Sequence, residues 1–83
     1  MMIFPLDNNS KTPLYIQMYS EIKKQIQDGS LHSNEKLPSK KHFMEQYHIS
    51  QNTVQNALYL LLEEGYLYSI ERRGYFVSNL ENI

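Results

Sequence analysis

Leu37 to Leu67 reads LPSKKHFMEQYHISQNTVQNALYLLLEEGYL. Its pattern predicts two helices joined by a tight turn, followed by a chain that enters a hairpin. The second helix divides into two faces. Val54, Ala57, Leu58, Leu61 and Leu62 fall at i, i+3, i+4, i+7 and i+8, one apolar stripe of an amphipathic helix. Gln51, Asn52, Gln55, Asn56 and Tyr59 fall on the other side, and four of these five are amides. A merely solvated face usually carries Lys and Glu, which favour helix, whereas Asn disfavours it by competing for backbone hydrogen bonds. Amides here are locally unfavourable unless something else uses them. Asn and Gln pair bidentately with the N6/N7 edge of adenine in the major groove. This helix, over about residues 51–64, therefore reads as a DNA recognition helix.

The signals around it are local. Ser39 is placed to cap the first helix of the pair and Ser50 the second. At a helix N-terminus, free N–H groups and the helix dipole also favour an anion, so Ser39 can contact phosphate as well as cap. His48-Ile49 forms the turn; His is among the residues that tolerate positive φ, and Ile49 plugs into the core. Gly65 closes the second helix. Tyr66 to Ile70 and Tyr75 to Ser78 alternate and are rich in Tyr, Val, Ile and Phe, which predicts two strands. Glu71-Arg72-Arg73-Gly74 is the loop between them. Beside a recognition helix, two Arg at a loop tip read as a wing, placed over residues 70–75 against phosphates or in a narrow minor groove.

Upstream, residues 1–11 form a polar lead-in with turn chemistry at Asp7-Asn8-Asn9-Ser10 and little to bury. Thr12-Pro13 reads as an N-cap followed by Pro in the first helical position. Tyr15, Met18, Tyr19, Ile22 and Ile26 carry the apolar stripe of a first helix that runs to about Asp28 and ends at Gly29. Residues 30–35 form a loop, and Lys36-Leu37-Pro38 is extended because the residue before Pro is pushed out of the helical region. Residues 79–83 are a polar tail or the start of a linker. The expected fold is mainly α with a small β-hairpin, a winged helix-turn-helix of three helices and a two-stranded wing over residues 12–78.

Composition narrows the function. At 83 residues the chain holds one small domain, which buries only roughly 60–65% of the surface its unfolded chain exposes. It has no cysteine and three scattered His, which argues against disulfides and metal sites. No apolar run approaches the ~18 residues of a membrane span. MMIFPL lacks the basic region and long apolar core of a signal peptide. A cytoplasmic location is expected. No Gly-rich phosphate loop, convergent carboxylate pair or His-centred nucleophile is visible, so no enzyme activity, catalytic residue or cofactor is expected in this chain. The formal net charge of −1 is low for a nucleic-acid binder. However, Lys36, Lys40, Lys41, Arg72 and Arg73 lie next to the DNA-facing elements, so a local basic patch is expected. Glu45 and Glu71 remain inside the motif.

TPLYIQMYSEIKKQIQDGSL, KLPSKKHFMEQYHISQNTVQNAL and EEGYLYSIERRGYFVS together resemble the DNA-binding domain of GntR-type bacterial transcription regulators. The resemblance covers about Thr12 to Ser78. LYIQMY and GYFVS look most like the MocR branch, in which a long linker leads to a large aminotransferase-like domain that binds pyridoxal phosphate. The resemblance implies a DNA-binding fragment or a regulator without its sensor. A small domain reading one half-site binds too weakly alone, so two copies on repeated half-sites of double-stranded DNA are expected, mirroring a homodimer.

It also implies site residues. The family's Pro-Ser-x-Arg segment falls on Pro38-Ser39-Lys40-Lys41, so Lys41 replaces an Arg. Its Ser-Arg-x-Thr-Val-Arg segment falls on Ser50-Gln51-Asn52-Thr53-Val54-Gln55. Gln51 and Gln55 replace Arg, while Ser50, Thr53 and Val54 are kept. The wing-tip glycine falls on Gly74, beside Arg73. Two lost Arg remove two charges and shift the favoured base from guanine to adenine. The same near-neutral charge and the same two Gln leave a second reading open, a winged-helix module that binds protein through an exposed patch around Tyr59 and Tyr68.

Overall fold

In a computed structural model of the chain, residues 4–79 are described. Residues 1–3 and 80–83, parts of the lead-in and of the tail, lie outside them. Three helices, α1 (Leu14–Gln27), α2 (Lys40–Tyr47) and α3 (Gln51–Glu63), precede an antiparallel hairpin of β1 (Leu67–Ile70) and β2 (Gly74–Val77). This is the expected three helices plus wing.

The termini of α2 and α3 are set by local chemistry. Ser39 Oγ accepts from the His42 amide at 3.1 Å, and Ser50 Oγ accepts from the Thr53 amide at 3.2 Å. Each bond satisfies one of the four N–H groups that a helix start leaves unpaired. His48 takes the left-handed conformation, φ 54° and ψ 47°, and this reverses the chain between α2 and α3. Gly65, at φ +83°, ends α3 and turns the chain into β1.

The start of α1 differs from expectation. Pro13 occupies the N-cap position itself, and no side chain caps the helix. The reason lies in Gln17, whose amide Nε2 donates to the carbonyls of Thr12 at 2.7 Å and Asp7 at 3.0 Å, while its Oε1 accepts from the Asp7 amide at 2.8 Å. This clamp holds Thr12 by its backbone, and the Thr12 hydroxyl does not cap.

The lead-in also buries more than its polarity implies. Phe4 is buried, its ring stacked on Tyr47 at 4.9 Å between centroids, and its amide donates to the Tyr47 hydroxyl at 3.3 Å. Leu6 packs against the same core.

That core joins all the elements. Met18, Ile22 and Ile26 of α1 meet Phe43 of α2, Val54, Ala57, Leu58 and Leu61 of α3, and Leu67 and Val77 of the hairpin. Leu62, the fifth residue of the α3 stripe, packs at its edge. At the far end of α3, the Tyr19 phenol donates to Glu64, and Lys23 Nζ lies 3.5 Å from the same carboxylate. The bond to Glu64 is the main cause that holds the Tyr19 phenol above its usual pKa.

The wing is broader than a hairpin. β1 and β2 pair from Leu67↔Val77 to Ile70↔Gly74. Residues 34–37 then run antiparallel along the other edge of β2. The Asn34 amide donates to the Val77 carbonyl at 2.7 Å, the Val77 amide to Glu35 at 2.9 Å, and the Leu37 amide to Tyr75 at 2.9 Å. Lys36 and Phe76 form the bridge. The segment before Pro38 is thus an extended stretch, bridged to β2 at Lys36, that ties the start of α2 to the wing.

Candidate nucleic-acid interface

Gln51, Asn52, Gln55 and Asn56 are all exposed on the face of α3 opposite the core. Among the described residues none of the four amides has a hydrogen-bond partner within the protein. Each therefore keeps its full set of donors and acceptors for an external partner. Thr53 is different. It is half-buried, and its Oγ1 lies 2.9 Å from Ser50 Oγ. Ser50 and Thr53 thus spend much of their capacity on the cap.

The second part of the site is a groove of about 380 Å³ between the start of α2 and the wing. Lys36, Lys40, Lys41 and Arg73 line it together with Gly74 and Tyr75. The bridged segment 34–37 and Pro38 bring these cations together from distant parts of the chain. Gly74 sits at φ +123°, and a Cβ there would meet Lys36 Cε at 3.3 Å, so the glycine lets the Lys36 stem pass close to the wing. Lys40 Nζ lies 5.6 Å from the centroid of the Tyr75 ring, within cation–π range. Lys40 therefore links α2 to β2 as well as adding charge. Tyr75 was visible in the sequence only as a strand residue; its role under Lys40 depends on a contact between segments 35 residues apart.

Lys41 Nζ lies 3.9 Å from Glu45 Oε1, one helical turn on, with both side chains largely exposed. An exposed pair of this kind contributes little to stability. Glu45, the acidic residue inside the motif, is thus the partner of Lys41. Glu71 stays exposed at the tip of the wing with no partner among the described residues.

Arg72 is exposed and does not line the groove. It occupies the turn, where the Arg73 amide donates to the Ile70 carbonyl at 3.0 Å, and it has φ 65°. A left-handed residue that is not Gly, Asn or Asp costs about 1–2 kcal/mol.

The exposed Tyr patch considered from sequence does not form. Tyr59 is exposed, but Tyr68 is half-buried, stacked on Phe76 at 5.5 Å, and its hydroxyl donates to Asn34 Oδ1 at 2.8 Å.

The family model described as bacterial regulatory proteins, gntR family, matches residues 14–77. The HTH-type transcriptional repressor NagR of Bacillus subtilis is 41% identical over 73 residues, covering 88% of this chain and 30% of its own. The probable rhizopine catabolism regulatory protein MocR of Rhizobium meliloti is 33% identical over 75 residues, covering 90% of this chain and 15% of its own. This chain thus spans under a third of the length of either relative. The solved structure of AraR(DBD) in complex with operator ORE1 superposes with a TM-score of 0.77 at 32% identity, over 89% of this chain and 90% of that one. NagR is named as a transcriptional repressor and MocR as a regulatory protein, and AraR(DBD) is bound to an operator. With the winged helix-turn-helix already traced, they place the molecule: the chain belongs to the gntR family of bacterial regulatory proteins and is its DNA-binding domain.

Proposed function

We propose that this domain reads a specific operator, with α3 in the major groove and Gln51, Asn52, Gln55 and Asn56 at the base edges. The observation that carries the reading is the face of four exposed amides without partners among the described residues. Ser39, Lys36, Lys40 and Lys41 hold phosphates beside the start of α2. Ser50 and Thr53 fix the start of α3 and approach the backbone there. Arg72, Arg73 and Gly74, in the wing over residues 70–75, work the adjacent backbone or minor groove. One small domain reads one half-site, so two copies act on repeated half-sites, as in a dimeric regulator. Such a regulator works where bacterial chromosomal DNA is, in the cytoplasm.

Membership of the MocR branch is a narrower reading, and with it would come a following domain that binds pyridoxal phosphate. It rests on LYIQMY, GYFVS and the Rhizobium relative. The higher identity to NagR weighs against it.

The test is fluorescence-anisotropy binding to a pool of duplexes at two salt concentrations, with selection of the bound sequences. Saturable binding that weakens with salt and enriches a short repeated motif supports the reading. A flat response at low salt rejects it.

The wing adds a separate prediction. Arg72→Gly removes the left-handed penalty of about 1–2 kcal/mol, offset in part by the extra chain entropy of glycine, about 0.5–1 kcal/mol. The expected net gain in stability is about 0.5 kcal/mol. The same change removes a cation, so the slope of log K against log salt becomes shallower by up to ~0.9. A variant that melts higher and binds DNA more weakly is expected. Unchanged binding would remove Arg72 from the interface.

A further inference from the structure

Tyr59 is the largest exposed aromatic on α3, 58% exposed, and it forms no hydrogen bond or ring contact among the described residues. Its place on the helix is specific. At roughly 100° per residue, Gln51 and Asn56 bound an arc of about 140°, and Tyr59 falls near its middle. It lies about 12 Å along the axis from Gln51, at about 1.5 Å per residue. Recognition helices contact bases through their N-terminal residues, and the major groove is about 12 Å wide. With its N-terminal residues at the bases and its axis inclined across the groove, α3 brings a residue two turns further on, on the same face, up to the far rim, where the phosphates are. One turn beyond Tyr59, the exposed Glu63 continues the same face with a carboxylate, which repels phosphate. Tyr59 is thus the last neutral hydrogen-bond donor on this face before that carboxylate.

Resting on the operator-reading function above, we propose that Tyr59 donates its phenolic O–H to a phosphate oxygen on the far wall of the major groove and fixes the depth and register of α3. A neutral donor suits this face, which carries amides and no cation. The contact holds backbone and carries no base information.

Three variants tested on the 83-residue chain at low salt separate the possibilities. Tyr59→Phe keeps the ring and removes only the hydroxyl, and its exposure leaves the fold intact, as a thermal melt checks. A hydrogen bond to a charged group is expected to be worth about tenfold in affinity. The loss should be the same factor on the selected operator and on a scrambled duplex, with the salt slope unchanged, since no charge is removed. Gln51→Ala and Gln55→Ala should lose affinity on the operator alone. Wild-type affinity in Tyr59→Phe, or a loss confined to the operator, overturns the phosphate contact while wild-type binding still upholds the operator reading. Failure of the wild-type chain to bind overturns both.

Discussion

Phe43→Ala is expected to leave much of the chain unfolded at 37 °C. Phe43 is the largest fully buried side chain and the one buried residue of α2. Truncating a buried Phe costs about 3–5 kcal/mol, through lost transfer energy and the cavity left behind. A domain of 83 residues, at about 0.05–0.15 kcal/mol per residue, has only roughly 4–12 kcal/mol in total. The loss also spreads along a chain of rings. Phe43 lies 6.4 Å from Tyr47, and Tyr47 stacks on Phe4. The variant should therefore release the lead-in as well as α2. A melt followed by circular dichroism should fall by roughly 15–30 °C. Phe4→Ala should cost less in the wild type, and less again in the Phe43→Ala background, because the stack it completes is already loosened. A shift of only a few degrees in Phe43→Ala would mean that α2 is held mainly by its caps and its link to the wing.

The order of elements was legible because its signals act within a few residues. Ser39 and Ser50 cap the helix that follows each, His48 accepts positive φ, and Gly65 needs no partner to turn the chain. The apolar stripe of α3 and its amide face could be separated by periodicity alone. What escaped depends on contacts that no local rule encodes. Phe4 is buried because Tyr47, 43 positions away, offers a ring. Lys36 and Leu37 read as extended because of Pro38 and residues 30–35 as a loop, but the pairing of residues 34–37 with β2 requires the hairpin to lie alongside. Thr12 does not cap α1 because the helix starts one residue later, with Pro13 at the N-cap, while Gln17, five residues on, holds the Thr12 carbonyl. Among site residues, the cations of the groove were identifiable one by one. Their convergence, and the second task of Lys40 over the Tyr75 ring, came only with the fold.

The other large effect concerns what α3 reads. Gln51→Arg with Gln55→Arg is expected to change the preferred base from adenine to guanine at both contacted positions, because Arg pairs bidentately with guanine O6/N7. Each correct pair discriminates by about 1–3 kcal/mol, so the variant should prefer the guanine-substituted operator by roughly a hundredfold or more. The two added charges should steepen the salt slope by up to ~1.8. Stability should move the other way. Cations at i and i+4 repel by about 0.2–0.5 kcal/mol, and a cation in the first turn opposes the helix dipole by about 0.3–1 kcal/mol. Both positions are exposed and neither Gln has a partner among the described residues, so no packing is lost to confuse the comparison. The expected result is a protein that melts a few degrees lower, binds DNA more tightly at low salt and selects a different sequence. If selection returned the wild-type bases, Gln51 and Gln55 would not be reading them, and the amides Asn52 and Asn56 would be the next to exchange. A lower melting point without any change in DNA binding would remove the N-terminal half of α3 from the interface altogether.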